Sequence, residues 1–444
     1  MNYLNAHKTL AVAVVLGLMS VSATALAATV ELNLNKAVTM ALLNNPTVKI
    51  SQAELDSAKA TKNAANAAHW VSVDYAHNLA RSENYKNSTN LDVNNSFNNQ
   101  VQVSLPLWSP AIDATIKKAS ANYKYYRYGL EDSLETVKLN ATTGYYSVLE
   151  AANSVTLAKE SVDRLADHLK NVQAQFEVGV VAKADVLRSQ VELANAQQTL
   201  IKAQNSYDLA VASLNNVIGL PLGTDLSVSE GLDYREYNNT LENCLTYALS
   251  NRPVIHQAEA NVVAAKAGID SAAAGQLPSI AASGSYAWQK DKWPGDDKNK
   301  WTVGVSLNMN IFDSGVTASK VAAARADKVK AEETYRQTTD SVQLDVRNNY
   351  LSLREAEKRI ATSQTAVSQA EEDYRISILR YQAGVGTNTD VMDAQVALTQ
   401  AKNNYIQALY DYNTSGAQLD KAMGVPVIKE EVAATGTAKA AKTK

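Results

Sequence analysis

The chain has 444 residues, a formal net charge of -3 and 46% hydrophobic residues, which excludes a nucleic-acid binder working through a basic surface. Phe occurs 3 times against 21 Tyr, and small residues are common, a composition suited to long, closely packed helices rather than one large core.

In chain order, residues 1–27 (MNYLNAHKTLAVAVVLGLMSVSATALA) present Lys8, an apolar run and Ala25-Leu26-Ala27. This is the signal-peptide pattern, with cleavage expected after Ala27; an anchoring helix fits the small-residue end less well. No later segment supplies roughly 18 uncharged apolar residues, so no transmembrane helix is expected beyond it. The single cysteine, Cys244, excludes an internal disulfide, and no lipid on an N-terminal cysteine is expected after cleavage.

Self-similarity sets the domain organisation. ALLNNP at 41–46 returns as ALSNRP at 248–253, Gly219-Leu220-Pro221 returns as Gly424-Val425-Pro426, and FEVGVVAKADVL at 176–187 returns as YQAGVGTNTDVM at 381–392. The order is kept and the offset barely drifts. A tandem duplication is expected: a first repeat over 28–221, a linker over 222–240, a second repeat over 241–426, and a disordered tail over 427–444.

Each repeat opens with a short helix and a second one started by Pro46 or Pro253, proline being suited to a first helical turn. The hydrophobic period then changes to two. In WTVGVSLNMNI, Trp301, Val303, Val305, Leu307, Met309 and Ile311 alternate with Thr302, Gly304, Ser306, Asn308 and Asn310. In FNNQVQVSL, Phe97, Val101, Val103 and Leu105 alternate with Asn98, Gln100, Gln102 and Ser104, and residues 70–79 and 280–288 are weaker versions. Two hairpins are expected, about 70–107 and about 280–312, with loops near 82–95 and 289–300. DKWPGDDK at 291–298 lacks the acidic spacing of a calcium loop and reads as a solvated connection.

Such strands fit either a soluble hairpin lying on a core or a transmembrane barrel with lipid outside and water inside. All five tryptophans (Trp70, Trp108, Trp288, Trp293, Trp301) fall in or beside these segments, as membrane-interface belts require, which favours the barrel. Trp70, Trp108, Trp288 and Trp301 are therefore the candidate interface aromatics. Four strands close no barrel, because small membrane barrels begin at about eight, and an open edge in lipid leaves amides unpaired. Several copies must share one barrel; two copies giving eight strands and three giving twelve both remain open on this reasoning.

Long helices are expected over 113–178 and 316–383, each on the order of 100 Å. Each turns at the repeated motif and returns over 185–217 or 390–423. Val186, Leu193, Leu200, Tyr207 and Leu214, like Val391, Leu398, Tyr405, Tyr412 and Leu419, hold a seven-residue repeat that argues coiled-coil packing. GVVAKADV and GVGTNTDV are then turns at the far ends of two helical hairpins. Glycine permits the turn, and Asp185 and Asp390 sit where a helix N-terminus favours negative charge.

With the doubled NNP and NRP helix starts, hairpins ending in LPLWS and NIFDSG, the tips RYQAGVGTNTDV and FEVGVVAKADV, and the closing GLP and GVP, the sequence resembles the TolC-like family of outer-membrane efflux ducts over nearly all of its mature length. The resemblance implies a mainly α trimer with a 12-stranded transmembrane β-barrel, four strands per chain, continued by a long α-helical coiled-coil barrel across the periplasm. It implies a passive exit duct of a tripartite efflux pump or type I secretion system, placed in the outer membrane. The implied partners are two sister copies, a periplasmic adaptor, an inner-membrane pump whose class stays open, and outer-membrane lipid, with no cofactor and no nucleic acid. Gly179, Val180, Val181, Ala182, Gly384, Val385, Gly386 and Thr387 become adaptor-contact candidates. Asp390 and Asp393 match acidic-ring positions at the constriction, joined by Asp185, and Tyr381 matches a gate tyrosine. Gly386 stands where a gating arginine can occur, and Ala184 replaces a polar neighbour of Asp185, so an ion-pair lock of that type is not expected here.

A barrel-anchored structural or adhesive coiled-coil stalk is the alternative; it explains heptads and strands but not two polar-faced hairpins in two equal halves. An enzyme is not expected: the five histidines (His7, His69, His77, His168, His256) show no ligand spacing, and no phosphate loop or nucleophile motif appears.

Overall fold

The computed structural model describes residues 30–87, 90–229, 231–290 and 298–427. The signal-peptide reading, the tail from residue 428, Trp293 and all but the last residue of the 291–298 loop lie outside the described residues. In chain order come β1 (Val30–Leu32), α1 (Leu34–Asn44), α2 (Pro46–Ala67), β2 (Ser72–Asn87), β3 (Asn90–Trp108), α3 (Pro110–Glu177) and α4 (Lys183–Ile218). After β4 (Leu226–Val228) the plan repeats as α5 (Leu241–Asn251), α6 (Pro253–Ala273), β5 (Ser279–Lys290), β6 (Lys298–Asn308), α7 (Val316–Gln382) and α8 (Asn388–Met423).

The helix starts have local causes. Asn45 accepts from the Thr47 amide at 2.9 Å ahead of Pro46, and Ser109 accepts from the Ile112 amide ahead of Pro110. The returning helices stop at Gly219 and Gly424, whose φ of 76° and 73° is the left-handed region that glycine enters without penalty.

These stops explain why two motifs are doubled. A Cβ on Gly219 would lie 2.6 Å from Asn44 Cβ, and one on Gly424 would lie 2.7 Å from Arg252 Cα. The end of each returning helix therefore packs against the proline-started joint of its own repeat. In the first repeat, Asn44 and Asn45 donate to the Ile218 and Val217 carbonyls at 3.2 and 3.0 Å. In the second, Arg252 donates to the Lys421 carbonyl and also pairs with Glu135 at 3.1 Å and Asp132 at 3.4 Å on α3. Burial pushes the Glu135 carboxyl up to about 7 against the opposing pull of Arg252.

Around these joints lies the main core: α1, the middle of α3 (Val137, Ala141, Tyr145, Val148), the end of α4 (Leu214, Ile218), the middle of α7 (Val346, Leu353, Ala356) and the end of α8 (Ala408, Leu419). β1 and β4 form a small parallel pair beside it, Leu32 opposite Val228. The linker expected over 222–240 thus carries a strand. Three-residue strands are too short for periodicity to reveal.

The four-stranded antiparallel sheet runs β2-β3-β5-β6. Its register separates two faces. On one, Val73, Val103, Gly284 and Val303 form a row beside the row Tyr75, Val101, Tyr286 and Trp301. On the other, Asp74, Gln102, Ser285 and Thr302 lie beside Ser72, Ser104, Ser283 and Gly304. The expected loop over 82–95 needs correcting. β2 and β3 stay paired out to Asn87 and Asn90, and β6 begins at Lys298 rather than after 300. Ladder hydrogen bonds join backbone to backbone and need no particular side chain, so pairing continues where hydrophobic alternation fades.

Candidate functional site

Two regions remain after the core is accounted for: the two-faced sheet and the far ends of the helical hairpins. α3 packs along α4, α7 packs along α8, and α3 also touches α8. Both hairpins turn through the same device. Gly179 and Gly384 have φ of 77° and 74°; Val180 N–H donates to the Gln175 carbonyl at 2.9 Å and Val385 N–H to the Arg380 carbonyl at 2.9 Å. The turns lie side by side, since Arg188 Nη1 donates to Thr389 Oγ1 at 2.7 Å and Asn388 Nδ2 to the Asp185 carbonyl at 3.2 Å.

Val180 and Val385 project outward, 71% and 68% exposed, with Gly179, Ala182 and Gly384 exposed beside them. Val181 instead packs inward against a small core of Val172, Tyr381 and Val391. Gly386 is close to its neighbours: a Cβ there would meet Arg380 and Tyr381 backbone atoms at 3.0–3.1 Å. A side chain at this position would require that backbone to give by a few tenths of an ångström, and glycine itself offers no group for a lock at 386.

Thr387 and Asp390 form a reciprocal cap on α8. Asp390 N–H donates to Thr387 Oγ1 at 3.2 Å and Thr387 N–H donates to Asp390 Oδ2 at 2.9 Å. The Thr387 amide holds the Asp390 carboxyl below its ordinary range. Asp390 and Asp393 are both exposed, on the same stretch of α8, and Asp185 is half-buried at the start of α4. These three carboxylate-bearing residues stay near the tips.

Tyr381 does not stand with them. It is 7% exposed and lies inside the chain's own tip core, its ring 5.2 Å from that of His168. Tyr381, expected as a gate tyrosine, is thus packed among its own chain's helices rather than exposed on the single chain's surface.

Sequence reasoning missed the polar residues of this core. His168 Nε2 lies 2.7 Å from Asn388 Oδ1, and Ser189 Oγ donates to the Asp185 carbonyl at 2.9 Å. Higher up, Gln395 accepts from Arg164 at 3.2 Å and donates to Ser161 at 3.3 Å. Only three-dimensional proximity links them, since His168 and Asn388 are 220 positions apart and, although Asn388 lies within the repeated tip motif, His168 belongs to none.

On the sheet, Trp70 and Trp108 sit at the helix end of β2 and β3, while Trp288 and Trp301 lie towards the opposite end, packed with Tyr286 or paired with it. Trp108 is level with Ile280, and Trp288 is a further eight residues along β5, which at the rise of a strand is roughly 26 Å. Among the described residues no helix is long and apolar enough to cross a membrane.

Comparison with known proteins fits this geometry. A family model described as outer membrane efflux protein matches residues 37–220 and 245–425, one match per repeat. Outer membrane protein TolC of Escherichia coli strain K12 is 24% identical over 412 residues, covering 88% of this chain and 82% of that protein. Protein CyaE of Bordetella pertussis is 26% identical over 407 residues, covering 89% of this chain and 84% of that protein. The crystal structure of the Campylobacter jejuni CmeC outer membrane channel superposes with a TM-score of 0.79 at 19% identity, covering 88% and 85% of the two chains.

Proposed function

From the premise that the chain belongs to the outer membrane efflux protein family, we propose that three copies close one continuous tube, with a twelve-stranded barrel in the outer membrane and a helical tunnel below it. The protein is an outer-membrane exit duct for efflux or secretion and not an enzyme. The observation that carries the trimer is the sheet itself. Four strands with one apolar face and one polar face end in two open edges, β2 and β6. Lipid tolerates no open edge, so the edges must pair between copies. Two copies would give eight strands, whose interior side chains just fill; a water path needs the wider barrel of three.

The helices support the same reading. Leu187, Val191, Ile201 and Leu209 on α4, with Val329, Leu344, Leu351 and Leu379 on α7, remain 50–66% exposed in the single chain. Such apolar positions along helices are what sister copies would cover. The aromatic levels of the sheet match the roughly 25 Å apolar band of membrane barrels, with Trp70 and Trp108 at one interface and Trp288 and Trp301 at the other.

At the tips, Asp390 and Asp393 from three copies would form an acidic ring at the narrow end, and the exposed Val180 and Val385 turns would meet a periplasmic adaptor that connects to an inner-membrane pump. No chemical step is needed; the partner pump supplies the energy. Purified protein in planar bilayers tests the duct directly. Cation-selective current is expected, reduced in selectivity by Asp390→Asn with Asp393→Asn, and Val180→Glu with Val385→Glu should abolish export in cells while leaving the current intact. Absence of any current would refute the duct, unchanged selectivity would remove the ring, and normal export would remove the docking turns.

A further inference from the structure

The two hairpins of one chain are tied near their tips by a buried polar cluster that a passive tube does not require. Asn388, the first residue of α8, is 4% exposed. Its Nδ2 donates to the Asp185 carbonyl at 3.2 Å and to Ser189 Oγ at 3.3 Å, both on α4. That fixes the amide: its Oδ1 is the acceptor turned towards α3, where His168 Nε2 lies 2.7 Å away. His168 must therefore donate from Nε2, which a neutral imidazole does with a single proton. From α7, Tyr381 lays its ring against the imidazole, and its buried hydroxyl has no hydrogen-bond partner among the described residues.

Resting on the duct reading above, we propose that His168, Asn388 and Ser189 form the latch that holds the α3–α4 hairpin to the α7–α8 hairpin when the tunnel end is shut, and that protonation of His168 releases it. Widening the end within one chain must part the two hairpins, and the ties that cross at this level meet at Asn388. Among the described residues the solvent-exposed Arg188–Thr389 bond is a further tie at this level. Of these groups only histidine has an ordinary pKa near neutrality.

The surroundings set the sign. α3 contributes Val172 on the same core, while its Asp167 and Lys170 are exposed. α4 offers the Asp185 main chain and a half-buried Asp185 carboxylate that acts on the Tyr381 phenol. α7 offers the phenols of Tyr381 and Tyr374, with Arg380 exposed; on α8, Asp390 is turned to its cap and Asp393 is exposed. No carboxylate is bonded to the imidazole among the described residues, so a second proton places an uncompensated charge in an apolar pocket. Burial accordingly lowers the His168 pKa. In the parted state the ring is wet and titrates near its ordinary value of about 6.5. The latch is at full strength above that value and weakens as pH falls, by up to about tenfold per pH unit and per chain until the lowered value is passed.

The full chain in planar bilayers, compared at about pH 7.5 and about pH 5.5, tests this. Open probability of the wild type should rise by about tenfold or more on acidification. His168→Gln, which keeps an N–H for Asn388 but does not titrate, should lose most of that rise. Ser189→Ala and Asn388→Ala should already open more at the higher pH, with circular dichroism showing each variant to be helical. A current that responds to acid equally in wild type and His168→Gln, or in neither, overturns the latch and leaves the duct standing. No current from any of the four proteins at either pH contradicts the duct and the latch with it.

Discussion

Gly424 shows how a three-letter motif acquires meaning. In the sequence GVP reads only as a repeated helix stop, but the structure adds two separate demands. The backbone φ of 73° penalises any L side chain, and a Cβ would meet Arg252 Cα at 2.7 Å. The first demand alone is worth about 1–2 kcal/mol; the second forces the joint carrying the Arg252–Glu135 pair to shift. Gly424→Ala should therefore destabilise the chain by about 2–4 kcal/mol, read as a lowered thermal midpoint. Gly179→Ala meets nothing within 4 Å and should cost only the conformational part. Equal effects at the two positions would show that the close approach does not matter. Asp390 and Tyr381 mark the limit of residue-level reading. Asp390 was legible as a residue at a helix start, where the structure gives it a capping task with Thr387. Tyr381 was not legible, because whether a ring faces a channel or its own helices depends on residues distant in sequence, such as His168, whose ring lies 5.2 Å away.

The strands and helices were the most legible elements, and for a physical reason: both are amphipathic against two different media. Alternation over 301–311 and 97–105 follows from lipid on one side and water on the other. Beyond residue 81 the pattern vanishes although β2 and β3 remain paired. β1 and β4, at three residues each, carry no readable period. The two faces give a sharp test. Val303 and Thr302 are adjacent on β6 but belong to opposite faces, as their rows through Gly284 and Ser285 show. Val303→Arg should cost about 2–4 kcal/mol of barrel stability and lower the yield of assembled protein in the outer membrane. Thr302→Arg should assemble normally and alter only the current. The opposite ranking would reverse the inside and outside of the sheet.

At the scale of the whole molecule, one chain is an incomplete wall. Its main core is concentrated around the helix joints, where α1, α3, α4, α5, α7 and α8 meet, with a separate small cluster at the tips. The remaining apolar surface on α4 and α7 and the edges of β2 and β6 are left open in the single chain; in the proposed trimer, sister copies would complete them. The duplication was visible in the sequence because each repeat solves the same local problem with the same joint; the number of copies was not, because closure involves contacts that no single chain contains. Native mass spectrometry of the detergent-solubilised protein tests this most directly. A particle of three copies is the predicted result, and a particle of one or two copies would contradict a barrel of twelve strands around an open water path.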